Sequence, residues 1–184
     1  WNVSTGEPIH SYLGRSREVV DCIAFGPRDQ QFVTGGQGDL VLWDLATGKE
    51  IGEFETSSGV SQVVYSKDGQ TLIGGRSRAW ASIWKVGTLE SLHSFPGSGG
   101  SVTALAFSAD GKSVLTGYGG GDKLVVWDGA TGDEKFALEY GGASGIAISP
   151  DGTRIASGGK DRSVKIWDFE TGAELFSGQG HTHR

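Results

Sequence analysis

The 184-residue chain carries 32 glycines, six tryptophans and only four prolines, with apolar residues spread evenly, which suits many short strands and tight turns and excludes disorder and long helices. Its formal net charge of −6 argues against nucleic acid as a partner, because phosphate binding draws on a basic surplus. One cysteine excludes an intrachain disulfide framework, and no apolar run approaches the roughly 18 residues of a membrane-spanning helix, so no membrane partner is expected.

In chain order, residues 1–13 read as the end of an incomplete unit, with Trp1, a Thr5-Gly6 turn and one strand. Residues 14–54 form a first complete unit. It has an apolar strand from Val19 to Phe25, a degraded turn at Gly26-Pro27-Arg28-Asp29, and a second strand with Thr34. A third strand, Leu40-Val41-Leu42-Trp43, is followed by Thr47-Gly48 and a fourth strand. Residues 55–97 repeat the plan with Ser66-Lys67-Asp68-Gly69 and Trp84, but carry Gly87-Thr88 where Thr-Gly is expected. Residues 98–137 follow with Val102, the run Ala104 to Phe107, Ser108-Ala109-Asp110-Gly111, Thr116, Leu124-Val125-Val126-Trp127 and Thr131-Gly132. Residues 138–178 give the most regular copy: Ser149-Pro150-Asp151-Gly152, Ser157, Asp161, Trp167-Asp168 and Thr171-Gly172. Residues 179–184 resemble the opening of another unit.

The turns specify hairpins, since glycine supplies the positive φ such turns need. The apolar first strands predict burial on both faces, near the axis of the assembly. Each third strand ends on a tryptophan large enough to fill the gap to a neighbouring unit. Successive copies of that tryptophan stand about 40 to 43 residues apart, which matches the period of a four-stranded propeller unit.

This pattern resembles the WD-repeat β-propeller family, with turns similar to those of bacterial WD repeats, over essentially the whole chain. The resemblance implies an all-β propeller of four-stranded antiparallel blades, four of them complete here and part of a larger ring. The missing blades would come from the same longer chain or from another copy. It also implies structural roles for Trp43, Trp84, Trp127 and Trp167. Ser157 and Asp161 would join Trp167 and a histidine in a buried hydrogen-bond clamp, with Thr34 and Thr116 standing in for the serine elsewhere. Gln37, Arg78 and Gly121 fall near the Asp position of the other blades, so apolar packing is expected to dominate.

No enzyme constellation emerges, no catalytic residue is expected, and no cofactor is implied. His181-Thr182-His183 is explained by the opening Gly-His of a further repeat rather than by a metal, and the glycine clusters lack the helix and lysine of a phosphate loop. Cys22 reads as a small apolar residue within a strand. Sorted by turn, the charges sum to +2 at the end formed by the second-to-third-strand turns and blade connections, and to −7 at the other end. The first end collects Arg76, Arg78, Trp80, Tyr118, Tyr140 and Arg162, side-chain types that dominate binding hot spots. The expected function is therefore a protein-interaction or sensing scaffold that takes other proteins or peptides on this face. A structural unit that assembles into rings, and a ligand-binding or catalytic central channel, are the alternatives.

Overall fold

The computed structural model describes residues 2–9, 11, 19–28, 30–56, 59–76, 80–97, 100–120, 123–140 and 143–179. These contain sixteen strands in four separate antiparallel sheets, and no helix. The first blade is β1 (Val20–Phe25), β2 (Gln31–Gly36), β3 (Leu40–Asp44) and β4 (Glu50–Phe54); the second is β5 (Val60–Tyr65), β6 (Thr71–Arg76), β7 (Trp80–Lys85) and β8 (Ser91–Pro96). The third is β9 (Val102–Phe107), β10 (Ser113–Tyr118), β11 (Lys123–Asp128) and β12 (Glu134–Glu139); the fourth is β13 (Ala143–Ile148), β14 (Arg154–Gly159), β15 (Ser163–Asp168) and β16 (Glu174–Gln179). Each blade pairs its strands in sequence order. Successive first strands β1, β5, β9 and β13 pack side by side while the outer strands do not, so the blades radiate from an axis.

Three apolar cores lie between blades, as a stacked-sheet architecture requires when no single sheet can bury its own faces. The core between blades 1 and 2 joins Val33, Leu40, Leu42 and Phe54 to Val60, Val63, Leu72 and Trp84. The next joins Ile73, Ala81, Ile83 and Phe95 to Val102, Leu105, Tyr118 and Trp127, and the last joins Leu115, Leu124, Val126 and Leu138 to Tyr140, Ile155 and Trp167. In every case the tryptophan reaches back to the preceding blade. Trp84 meets Phe54 edge-on with ring centroids 6.2 Å apart, and Trp127 meets Phe95 at 5.1 Å. Trp43 instead stacks on Phe32 of its own blade, 6.1 Å away at 10°.

The first strands are not all buried on both faces. Val20, Ile23 and Phe25 of β1 are 58 to 60 % exposed, whereas Val60 and Val63, which hold the matching places on β5, are at most 8 % exposed. The physical reason is that blade 1 covers β5, while among the described residues no blade covers the outer side of β1. Blade 4 is open on its other side, where Phe176 is exposed and folds against Gly178, at the place held by Phe54, Phe95 and Leu138 in the other blades.

In blades 1, 3 and 4 the indole N–H is tied to the second strand of its own blade. Trp43 donates to Thr34 Oγ1 at 2.9 Å, Trp127 to Thr116 Oγ1 at 2.8 Å and Trp167 to Ser157 Oγ at 2.9 Å. In blade 2 the equivalent position is Gly74, and Trp84 turns its N–H to the Glu55 carbonyl at 3.2 Å. Asp161 departs from the family clamp: it is exposed, and its Oδ1 accepts from the backbone N–H of Ser163 at 3.0 Å and from its hydroxyl at 2.7 Å. It caps its own tight turn, and no histidine joins it among the described residues.

Aspartates organise the turns at one end. Asp68, Asp110 and Asp151 accept the hydroxyl of Ser66, Ser108 and Ser149 at 2.5 to 2.7 Å, and Gly69, Gly111 and Gly152 take positive φ. Asp44, Asp128 and Asp168 accept the N–H of Thr47, Thr131 and Thr171 before Gly48, Gly132 and Gly172. Blade 2 differs, since Lys85 replaces the aspartate and the positive φ of 63° falls on Leu89 rather than on a glycine. Leu89 packs against the core between blades 1 and 2, which offsets the strain of that conformation.

In thermal melts, Trp127→Ala should cost about 3–5 kcal/mol through the cavity it opens. Gly74→Ser should also destabilise, by about 1–3 kcal/mol, although serine is the residue other repeats favour: a Cβ at Gly74 would lie 2.9 Å from the buried Trp84 ring. The turn carboxylates predict an acid transition. Hydroxyl and N–H donors hold them below their ordinary value of 3.8, Asp151 falling to about 2. Their stabilisation is complete above that ordinary value and is lost as pH falls through the folded one. Circular dichroism should show melting temperatures that hold down to about pH 4 and drop between pH 4 and 2, with a smaller drop in Asp151→Asn.

Candidate interaction surface

The antiparallel blades sort the loops between two ends. Within each blade the first turn and the third-to-fourth-strand turn abut, through Leu45 N–H to Gln30, Val86 N–H to Gln70, Gly129 N–H to Lys112 and Phe169 N–H to Thr153. The second-to-third-strand turns and the blade connections share the opposite end. There the Gly119 N–H donates to Ser101 at 2.8 Å, and the Lys160 ammonium reaches the Gly119 carbonyl from the next blade.

Trp80 lies at this second end. It opens β7, is 48 % exposed, and sits in register between Arg76 on β6 and Pro96 on β8. The equivalent positions in the other blades are polar: Asp39, Lys123 and Ser163. Arg162 is exposed in the turn before β15, with a positive φ of 70° and its N–H donating to Gly159 at 3.1 Å. Arg78 lies outside the described residues, as does the side chain of Arg76.

Tyr118 and Tyr140 do not belong to this surface. Tyr118 closes β10 and is buried in the core between blades 2 and 3; Tyr140 follows β12 and is buried between blades 3 and 4. Blade 3 is covered on both sides, so every residue of β10 is buried and its last side chain has no face left to present to a partner. The aromatic part of the surface therefore reduces to Trp80, with Arg162 two blades away.

Clefts open at the other end, between turns of adjacent blades. One of about 300 Å³ lies between blades 1 and 2 and is lined by Arg28, Gln31, Tyr65, Gln70 and Lys85 among others. Another, of about 440 Å³, lies between blades 3 and 4 beside Lys112, Lys135 and Phe136. The blade 1–2 cleft was missed by sorting charges alone. The signal for it was the lysine at position 85, where the other blades carry aspartate.

Reactive groups serve packing. Cys22 lies half-buried with its Sγ donating to the Val60 carbonyl at 3.4 Å, and burial pushes its thiol up to about 11, so it stays protonated at neutral pH. His93 Nε2 donates to the Ala130 carbonyl at 2.9 Å, bridging blades 2 and 3. Among the described residues no group of three or more His, Cys, Asp or Glu side chains gathers to hold a metal ion. His10, His181 and His183 lie outside them.

The family "WD domain, G-beta repeat" matches residues 6–44, 89–128 and 139–168. Each matched segment ends on the third strand of a blade, and most of the unmatched stretch 45–88 is blade 2, the copy with Gly74, Lys85 and Leu89. The chain is 30 % identical over 186 residues to mouse "Transducin-like enhancer protein 2", covering 94 % of this chain and 24 % of that protein. It is 29 % identical over 168 residues to Drosophila melanogaster "Protein groucho", covering 86 % of this chain and 23 % of that protein. It is 27 % identical over 176 residues to Chlamydomonas reinhardtii "Cilia- and flagella-associated protein 52", covering 92 % of this chain and 28 % of that protein. The chain thus spans about a quarter of the length of these relatives. With four radial blades, a buried tryptophan at the end of every third strand and repeat matches over more than half its length, the chain belongs to the WD-repeat β-propeller family.

Proposed function

We propose that the chain is a propeller segment that holds other proteins, with the end bearing Trp80 as the contact surface. Trp80 carries the reading. A half-exposed indole at a position where the other blades place polar residues costs solubility and contributes little to its own core, and large aromatic side chains of this kind anchor protein interfaces. Arg162, and the arginines of the 76–78 segment, add donors suited to peptide carbonyls and carboxylates. Membership of the repeat family favours binding over catalysis, although a fold does not by itself assign a function.

Trp80→Ala should leave the melting temperature nearly unchanged and weaken capture of the natural partner by about 2 kcal/mol, about thirtyfold. The control is the double variant Asp133→Ala and Glu134→Ala at the opposite end, quantified in the same pull-down. Retention by the Trp80 variant with loss by the acidic-end variant overturns this choice of surface.

A second reading rests on the exposed Val20, Ile23 and Phe25. This flank packs against a further blade of the same kind, supplied by a longer chain or by a second copy. Sedimentation of the chain distinguishes the sources: concentration-dependent doubling of mass, abolished by Ile23→Asp, favours the second copy, and a monomer at all concentrations removes it.

A further inference from the structure

The cleft between blades 1 and 2 is formed where two turns depart from the repeat. In blades 2, 3 and 4 the first turn opens with Ser66, Ser108 or Ser149, whose hydroxyl fills the turn by bonding the aspartate two residues on. In blade 1 that place is Gly26. A Cβ built there would lie 3.3 Å from the Gln31 carbonyl and 3.8 Å from Cζ of Tyr65, so the missing side chain leaves a notch against the tyrosine ring. Across the cleft, Lys85 occupies the place of Asp44, Asp128 and Asp168. The two departures remove a hydroxyl and reverse a charge at a single site.

The result is a cationic spot at an acidic end. Among the described residues, Arg28 and Lys85 line the cleft against one acid, Asp68. That carboxylate is already engaged, by the Gln70 N–H at 2.9 Å and the Ser66 hydroxyl at 2.7 Å. Tyr65 forms part of the wall, and its buried hydroxyl has no hydrogen-bond partner among the described residues. Gln31 and Gln70 add amides of the kind that pair with an extended backbone. The volume of about 300 Å³ matches the lower end of small-ligand sites, enough for a group the size of a dipeptide.

We propose that this cleft binds an acidic, extended peptide segment, seating one carboxylate between Arg28 and Lys85 while the glutamine amides hold its backbone. Surrounding aspartates repel carboxylates that approach elsewhere on the same end, so the charge pattern selects position as well as sign. Tyr65 remains a donor throughout, because burial pushes its hydroxyl up to about 12. The site lies at the opposite end from Trp80 and does not depend on the function proposed above.

The test uses variants that restore the repeat and so keep the fold. Lys85→Asp recreates the aspartate that accepts a threonine N–H three residues on, here Thr88, and Gly26→Ser fills the notch with a hydroxyl that in the other blades also reaches the carbonyl five residues on, here that of Gln31. Amide NMR titrations of the full chain would use acetyl-Ala-Glu-Glu-Ala-amide, its Gln-Gln counterpart and inorganic phosphate as probes. The expected result is saturable binding of the acidic peptide with shifts at Gln31, Gln70 and Lys85. Affinity should fall about tenfold for the Gln-Gln peptide and for each variant, with the variants' melting temperatures held or raised. Equal binding of the two peptides, unchanged affinity in Lys85→Asp, or saturation by phosphate with no peptide preference would overturn the proposal.

Discussion

One contact recurs and organises the rest: an indole at the end of a third strand that reaches across to the blade before it. A ring of this kind buries about 150–250 Å², worth roughly 4–6 kcal/mol at about 25 cal/mol per Å². The hydrogen bond from its N–H contributes about 0.5–1.5 kcal/mol. Blade 2 decides between the two, since Gly74 has removed the hydroxyl acceptor yet Trp84 remains fully buried and merely redirects its N–H to a carbonyl. Packing sets the position of the ring, and the polar clamp adjusts to it. The clamp can therefore do without its aspartate and histidine, as around Trp167 among the described residues, while the blades keep their arrangement.

Because that contact points backwards in blades 2, 3 and 4, the chain has polarity along the stack. Blade 1 presents the exposed Val20, Ile23 and Phe25 of its first strand, and blade 4 presents Val164 and Phe176 beside Gly178. The two flanks are unlike, and a further blade can add to either one in only one orientation. Among the described residues the main contacts between blades join neighbours, as in other repeat architectures, so a change in one blade is felt mainly in its adjoining cores.

The repeat itself was legible because its signals are local. Tryptophan spacing located every third strand, and the Ser-x-Asp-Gly turns located the first hairpins, since glycine at positive φ leaves few conformational alternatives. What was not legible depends on neighbours. Tyr118 and Tyr140 look like surface aromatics when loops are assigned to one end, but the flanking blades enclose both. Asp161 matches the family motif in sequence and yet caps its own turn, because no histidine stands opposite it among the described residues. Leu89 adopts a conformation that glycine takes in the other blades, and only its packing explains that choice. The −7 of the acidic end is also less of a recognition surface than its sum implies. Asp44, Asp68, Asp110, Asp128, Asp151 and Asp168 already accept turn hydrogen bonds, so much of that charge is architecture.

The matched segments begin near an outer strand and end on the third strand of the following blade, so the unit of sequence is offset by one strand from the unit of structure. Residues 89–128 hold β8 of one blade together with β9, β10 and β11 of the next. Duplicating such a unit never inserts a free-standing blade. Each new copy completes its predecessor and leaves its own outer edge for a successor, so the polymer is stitched through shared sheets rather than strung together by linkers. A deletion of one unit in frame rejoins two half-blades into a whole and shortens the array by one step. A deletion offset by a single strand strands an unpaired edge, the template from which β-rich chains aggregate. Growth and loss of blades in register are thus tolerated by geometry, and errors of register are not.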